Sequence, residues 1–382
     1  MQATFKPELQ SIAPPLGGAE HFLALDGLRG IAALLVMMAH STYMMADSAR
    51  YSRATTAVLM VIGNSGHRPV ILFFVLSGFV LYLAFARSPE TPYAQFILRR
   101  MLRIYPAMLV ALAFSIAVHL LAAPRVEPGL GPWTAGLWVV AIDMTTIVRN
   151  MLMLGVRDAD SVLDPVIWSL AIEMRFSLLL PLLALLCQRS RIVLVVLSVA
   201  AYSSAVVLLD RLGMRPAYMF GGTPIGTIAV TMFYLPSFAL GILAADLFLE
   251  QRRRGWRVPI VLTSVVTVAA LIAARLVRSD LAGALACTIL VFIACQPGLL
   301  AALGRWRAVK FLGRISYSLY LIHFPILTTL AYAFSPRLPP IAAAIAGPVV
   351  ALGIAAVMYR YVELPGIAVG RRLAAPTKMS PT

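Results

Sequence analysis

The stretch LDGLRGIAALLVMMAH, residues 25–40, decides how the rest of the chain is read. It lies in an apolar run over 23–45, and a spanning helix needs about 20 such residues. Asp26, Arg29 and His40 interrupt the run. Ionisable groups are costly in lipid and mark functional positions by default. Arg29 and His40 are eleven residues apart. That spacing is within about 20° of three helical turns and amounts to about 16 Å of rise. The two side chains therefore share one helix face, stacked along the membrane normal. An arginine nearer the cytoplasm and a histidine deeper in suit a ligand with an anionic part and a reactive tip.

Working outward, similar apolar runs cover 69–87, 102–123, 165–187, 192–209, 227–249, 258–276, 282–303, 313–334 and 340–360. The chain is 60% hydrophobic and 13% charged, with mean hydropathy +0.87. Soluble domains carry about a quarter charged residues, so a water-exposed globule is excluded. The expected fold is an all-α polytopic integral membrane protein with about ten transmembrane helices. Residues 1–22 form an N-terminal segment, 23–366 one membrane domain and 367–382 a tail. Residues 1–22 are polar and contain proline, unlike a cleavable signal peptide. No internal repeat is visible.

The stretch 133–154 is ambiguous, because Asp143, Arg149 and Asn150 lie among its apolar residues. Omitting it places 19 Lys and Arg in and beside the inner segments and 11 in the outer ones. Counting it inverts everything downstream and puts the cluster Arg252–Arg257 outside. The positive-inside rule favours ten spans with both termini cytoplasmic. Segment 124–164 then becomes an outer excursion. Its Trp133, Trp138, Asp158, Asp160 and Asp164 suit a sugar platform, and the tryptophans equally suit an interfacial belt. The net charge of +16 follows from topology and needs no nucleic acid partner. Cys187, Cys287 and Cys295 lie in apolar runs without paired spacing, so buried thiols are expected.

The remaining intramembrane ionisable residues are His119, Glu173, Arg175, Asp246 and His323. Helical rise places His40 and Glu173 both in the outer half of the membrane and His323 near its middle. A histidine and a carboxylate at similar depth suit a general base with its orienting partner. Glu173 and Arg175 are two apart and face differently. Arg99, Arg100 and Arg103 lie at the inner mouth of the third span, where topology explains them and phosphate binding suits them. Asp246 reads as interfacial, and His119 as a helix-to-helix bond. Ser77–Gly78, Ser316 and Ser318 read as small residues at close helix contacts, and Tyr317–Tyr320 as packing. The GxSxG, Walker A and HExxH patterns are absent.

Six motifs in order carry a resemblance. LDGLRGIAALLVMMAH (25–40), FFVLSGFVLY (73–82), RRMLRIYP (99–106), WSLAIEMRFSLLLP (168–181), GRISYSLYLIHFPI (313–326) and VELP (362–365) resemble the membrane-bound acyltransferase 3 family. The likeness covers about 22–366 and matches the short form without a C-terminal SGNH domain. It implies an acyl-CoA-dependent O-acyltransferase, with acetyl-CoA the usual donor. It also implies an acceptor hydroxyl on an extracytoplasmic glycan, glycolipid or exported polysaccharide, and a place in a bacterial inner membrane. Arg29 and His40 match the family's Arg-x10-His element, with His40 essential. The arginines 99–103 match its arginine motif, though Arg-Arg-Met-Leu-Arg is not a clean Arg-x-Arg. Glu173 matches the acidic position after Trp168-Ser-Leu. The expected site is thus His40 and Glu173 for catalysis and Arg29, Arg99, Arg100 and Arg103 for the donor. His323, Ser316, Tyr320 and Trp168 are further candidates, and no metal is expected. Acylation of a secreted metabolite such as a macrolide stays open. So does a transporter or flippase whose intramembrane charges form a proton relay, although the missing repeat and the Arg-x10-His spacing count against it.

Overall fold

The computed structural model describes residues 20–43, 61–63, 66–88, 90–122, 134, 137, 142–154, 162–214, 221–277, 279–334 and 340–373. Among them there is no strand. Helix α1 is Glu20–Tyr43, α2 His67–Arg87, α3 Tyr93–Ala122 and α4 Met144–Met151. Then come α5 Ile167–Arg189, α6 Arg191–Arg211, α7 Pro224–Arg254, α8 Ile260–Leu276 and α9 Asp280–Ala294. The chain closes with α10 Leu299–Gly304, α11 Arg307–Phe334, α12 Pro340–Met358, a π-helical turn at Tyr359–Glu363 and α13 Leu364–Leu373.

Eight helices are long and apolar enough to cross a membrane, and α8 and α9 are shorter apolar helices. Together they match the ten spans read from the sequence. The protein is an all-α polytopic membrane protein. Its outward faces carry bare apolar side chains, with Leu121, Ile192, Val261, Leu276 and Val349 each more than two-thirds exposed. Such a surface belongs in lipid. The helix ends follow local rules. Ser190 alone separates α5 from α6, and its hydroxyl accepts the Val193 N–H. Thr223 caps α7 in the same way, and Gly255 ends it at φ +71°.

The bundle is closed by small residues. A Cβ on Gly78 of α2 would lie 2.1 Å from the Phe238 carbonyl oxygen, and one on Gly241 of α7 would lie 2.1 Å from that of Val75. Backbones this close require glycine, which bears out the Ser77–Gly78 contact. At the second crossing a Cβ on Gly30 of α1 would lie 2.5 Å from the Gly313 nitrogen of α11. Nearer the start of α1, Gly304 at the end of α10 meets Ala24, and Val309 in the first turn of α11 meets Gly27. Contacts advance together along both chains, so α1 and α11 run parallel.

Three features depart from the sequence reading. The run 282–303 is broken after Ala294, because Pro297 lacks an N–H and Gly298 sits at φ +156°. Gln296 at the break pairs reciprocally with Gln251 of α7, at 2.9 and 2.7 Å. Helix α3 begins at Tyr93, so the three arginines lie within it rather than before it. The last helical run continues past the expected span end at 360. Helix α13 continues to Leu373 and packs on α3, where a Cβ on Gly366 would meet the Leu102 carbonyl oxygen at 2.7 Å. In keeping with the ten-span reading, 133–154 is not one helix. Asp143 is extended there and caps the eight-residue α4, whose length of about 12 Å cannot cross a core about 30 Å thick. Trp133, Trp138, Asp158 and Asp160 lie outside the described residues.

Candidate active site

The parallel crossing of α1 and α11 determines what His40 meets. His40 follows Gly30 by ten residues, and His323 follows Gly313 by ten. Equal rises of about 15 Å from the glycine contact bring the two rings level. His40 Nδ1 and His323 Nε2 lie 2.9 Å apart. The rings are within 24° of parallel with centroids 5.1 Å apart. The centroid separation is close to the N···N distance plus the two ring radii, so the bond runs edge to edge in plane. His323 is fully buried, and its Nδ1 lies 3.0 Å from the Leu319 carbonyl oxygen one turn earlier. Tyr43 and Phe324 stand edge-on to the His40 ring, at 5.9 and 5.4 Å.

A cavity of about 1000 Å³ leads towards this pair. One end lies where α2 ends, α3 begins and α13 passes, lined by Arg87, Ser88, Thr91, Arg99 and Arg371. The other end reaches Phe73, Ser169 and Tyr320. Tyr320 packs edge-on to Phe73 at 5.2 Å, and its ring lies 6.1 Å from that of His323, one turn further along α11. The histidine pair thus sits just beyond the cavity's tip.

The walls are strongly basic. Arg29, Arg87, Arg99, Arg100, Arg103, Arg314 and Arg371 line them against Asp26, Glu173 and Glu363, an excess of four positive charges. The carboxylates are held in place. Asp26 accepts from Arg29 at 3.1 Å. Glu173 accepts from Arg100 and from the Ser77 hydroxyl, while Arg100 Nε also donates to Ser177 at 3.2 Å. Glu363 accepts from Ser318 at 2.7 Å. The π-helical turn that carries Glu363 belongs to a class of helix irregularity common at functional sites. Tyr317 donates to the Ile104 carbonyl at 2.7 Å and ties α11 to α3 beside the arginines.

Glu173 is therefore not the partner of His40, and His323 takes that place. The reason is direction. Ser169, which bonds Tyr320 at 2.7 Å, is level with the cavity's tip. From there α5 runs away from the dyad as α11 runs towards it, so Glu173 lies about 10 Å below His323 along the bundle. Ser316 lines the cavity with its hydroxyl bonded to the Gly313 carbonyl of its own helix. Trp168 is buried against Phe74 and Tyr234 as core. Arg175 points elsewhere, to Thr231 at 3.0 Å and to the Leu154 carbonyl. Asp246 accepts from Tyr82 and Arg191 at 2.8 and 2.7 Å, a link between helix ends. The three cysteines are free and buried.

Sequence reasoning gave no role to Glu363, although VELP was among the motifs. Arg314 and Arg371 were counted only as inner charges. Asp164 gains weight as well. It is 1% exposed, its Oδ1 accepts from the Val166 N–H at 3.3 Å, and its Oδ2 has no hydrogen-bond partner. Burial pushes its carboxyl well above the usual carboxylate range.

A family model described as an acyltransferase domain matches residues 22–360, and the chain belongs to that family. It is also similar to a protein of Bacillus subtilis (strain 168) named "Putative peptidoglycan O-acetyltransferase YrhL", with 25% identity over 329 residues. The match covers 79% of this chain and 48% of that protein, so the chain spans about half the length of the curated relative it matches. No solved structure matches it.

Proposed function

We propose that this acyltransferase moves an acyl group, typically acetyl, from acyl-CoA to a hydroxyl of a glycan on the opposite face of the membrane. The observation that carries the reading is a cavity whose walls carry four excess positive charges, with a buried histidine pair just beyond its Tyr320 end. Coenzyme A carries a diphosphate and a phosphomonoester, for a total of roughly −4 near neutral pH. That charge balances the excess, and arginine forks suit phosphate oxygens. In the orientation that the basic clusters favour, the end lined by Arg87, Arg99 and Arg371 faces the cytoplasm, where acyl-CoA is available. The pantetheine arm then follows α1 over the roughly 16 Å from Arg29 to His40. His40 serves as general base for direct attack on the thioester, or takes the acyl group first. Glu173 holds Arg100 in place rather than orienting the base.

The name of the Bacillus subtilis relative makes a cell-wall glycan the first acceptor to try. Secreted metabolites and lipid-linked sugars are the next. Purified protein in detergent, given acetyl-CoA and no acceptor, should release free thiol by slow hydrolysis. His40→Ala should lose that activity while still inserting and folding. Hydrolysis at the unsubstituted rate in this variant would refute the role given to His40, and no hydrolysis by the unsubstituted protein would favour a transporter without covalent chemistry.

A further inference from the structure

The histidine pair carries more than proximity. A carbonyl oxygen can only accept, so the contact between His323 Nδ1 and Leu319 O, 3.0 Å, places the proton on that nitrogen. With its ring neutral, His323 then has its lone pair on Nε2. That nitrogen is the one 2.9 Å from His40 Nδ1, and a hydrogen bond there needs one proton between the two. His40 Nδ1 must supply it. The proton order is thus set along one chain of atoms, from the α11 backbone through His323 to His40.

We propose that His323 is a positioning residue that fixes His40 in the tautomer protonated at Nδ1, making Nε2 the nitrogen that performs the transfer. The inference rests on the acyl-CoA reading above and adds to it the identity of the working atom. In the direct route Nε2 takes the proton of the acceptor hydroxyl while the oxygen attacks the thioester carbonyl carbon. The C–S bond then breaks, and the departing thiolate receives the proton from the His40 imidazolium. Acceptor ester and free coenzyme A thiol result, with no net change in protons. Throughout, Nδ1–H stays donated to His323, so the ring neither flips nor changes tautomer between turnovers. Stabilisation of the imidazolium by a neutral second ring, anchored on a carbonyl, stands where serine hydrolases use a carboxylate. A neutral orienting group suits this depth, because a lone buried charge would be costly.

Three full-length proteins test this in detergent with acetyl-CoA hydrolysis as the probe: wild type, His323→Ala and His323→Gln. Loss of tautomer control in the serine-protease triad lowers turnover about 10⁴-fold, and general-base assistance contributes about 10²–10⁴-fold. His323→Ala should therefore lower kcat at least about 10²-fold with the acetyl-CoA KM little changed, since no cavity arginine touches His323. His323→Gln offers an amide oxygen to the Nδ1–H and should recover a large part of that loss. Histidine labelled with ¹⁵N gives the direct readout, with His40 assigned by its disappearance in His40→Gln. Wild type should show His40 protonated at Nδ1, and His323→Ala should shift the proton wholly or partly to Nε2. Unchanged kcat in His323→Ala, or an unchanged His40 tautomer, would overturn the inference while leaving a His40-dependent acyltransferase standing. Activity that survives loss of His40 would instead refute the underlying reading.

Discussion

Replacing Gly30 with alanine should switch off turnover without touching either histidine. The added Cβ would lie 2.5 Å from both the Gly313 nitrogen and the Leu312 carbonyl carbon. Non-bonded heavy atoms settle at about 3.5–4.0 Å, so α1 and α11 must separate locally by about 1 Å. Backbone atoms supply the obstruction, and no side-chain rotation relieves it. Ten residues further on, the histidine contact of 2.9 Å has little room for such a shift, because N–H···N geometry weakens quickly beyond about 3.2 Å. A misplacement of about 1 Å costs roughly 10²-fold in a positioned reaction, and overpacking costs about 1–3 kcal/mol in stability. The assay is kcat for acetyl-CoA hydrolysis beside a thermal melt in detergent. A control comes from Gly347→Ala, whose Cβ would meet only the movable tip of Leu327. It should cost less in both measurements and keep most of kcat. If Gly30→Ala folds and keeps kcat within about twofold, far from the roughly 10²-fold loss expected, the glycine crossing does not set the dyad and the geometric argument fails.

Two further outcomes follow from buried polar groups outside the cavity lining. Asp164 is raised above its unfolded value by burial, so the native state binds the extra proton and stability falls as pH rises from about 4 towards the raised value. Asp164→Asn removes that dependence. Its melting temperature should exceed wild type at pH 7 and converge with it near pH 4; a constant difference across that range would contradict the assignment. The reciprocal amides Gln251 and Gln296 bridge α7 to the break after α9. Gln296→Leu alone leaves the buried Gln251 Oε1 without its donor, while Gln251 Nε2 keeps the Trp256 carbonyl, and should cost about 1–3 kcal/mol, whereas the Gln251→Leu, Gln296→Leu double variant should recover much of it. Additive losses in denaturation would show that the pair is not coupled.

The order of the spans was readable because each is a long apolar run, and hydropathy registers such runs without knowing their neighbours. The Arg29–His40 face was readable for a similar reason, since periodicity within one helix is local. Pairing was not. Similar depth pairs Glu173 with His40, but depth carries no lateral information, and the height of α5 against α11 is fixed by the Ser169–Tyr320 bond, which periodicity does not show. His323 enters the sequence reading only as a further candidate near mid-membrane. A signal was present in the equal spacings, Gly30 to His40 and Gly313 to His323. It becomes legible only once the two helices are known to run parallel and touch at their glycines. The π-helical turn at Tyr359–Glu363 leaves no mark in periodicity either, so the inward turn of Glu363 stayed hidden behind a proline motif.

The pairing of α1 with α11 also explains why the site needs two helices of nearly identical plan. Each carries an arginine at the foot of the cavity and a histidine beyond its tip. Arg29 and His40 are eleven residues apart, and Arg314 and His323 are nine, rises of about 16 and 14 Å. A single helix could hold those two heights but could bend or rotate between them. Two parallel helices locked backbone to backbone at Gly30 and Gly313 cannot change one height without the other. The distance from the basic foot to the reacting nitrogen is then a fixed length, set by helical rise. A donor that is anchored by its phosphates and has an arm of constant length suits such a ruler. An ion or sugar moving through in steps would gain nothing from it.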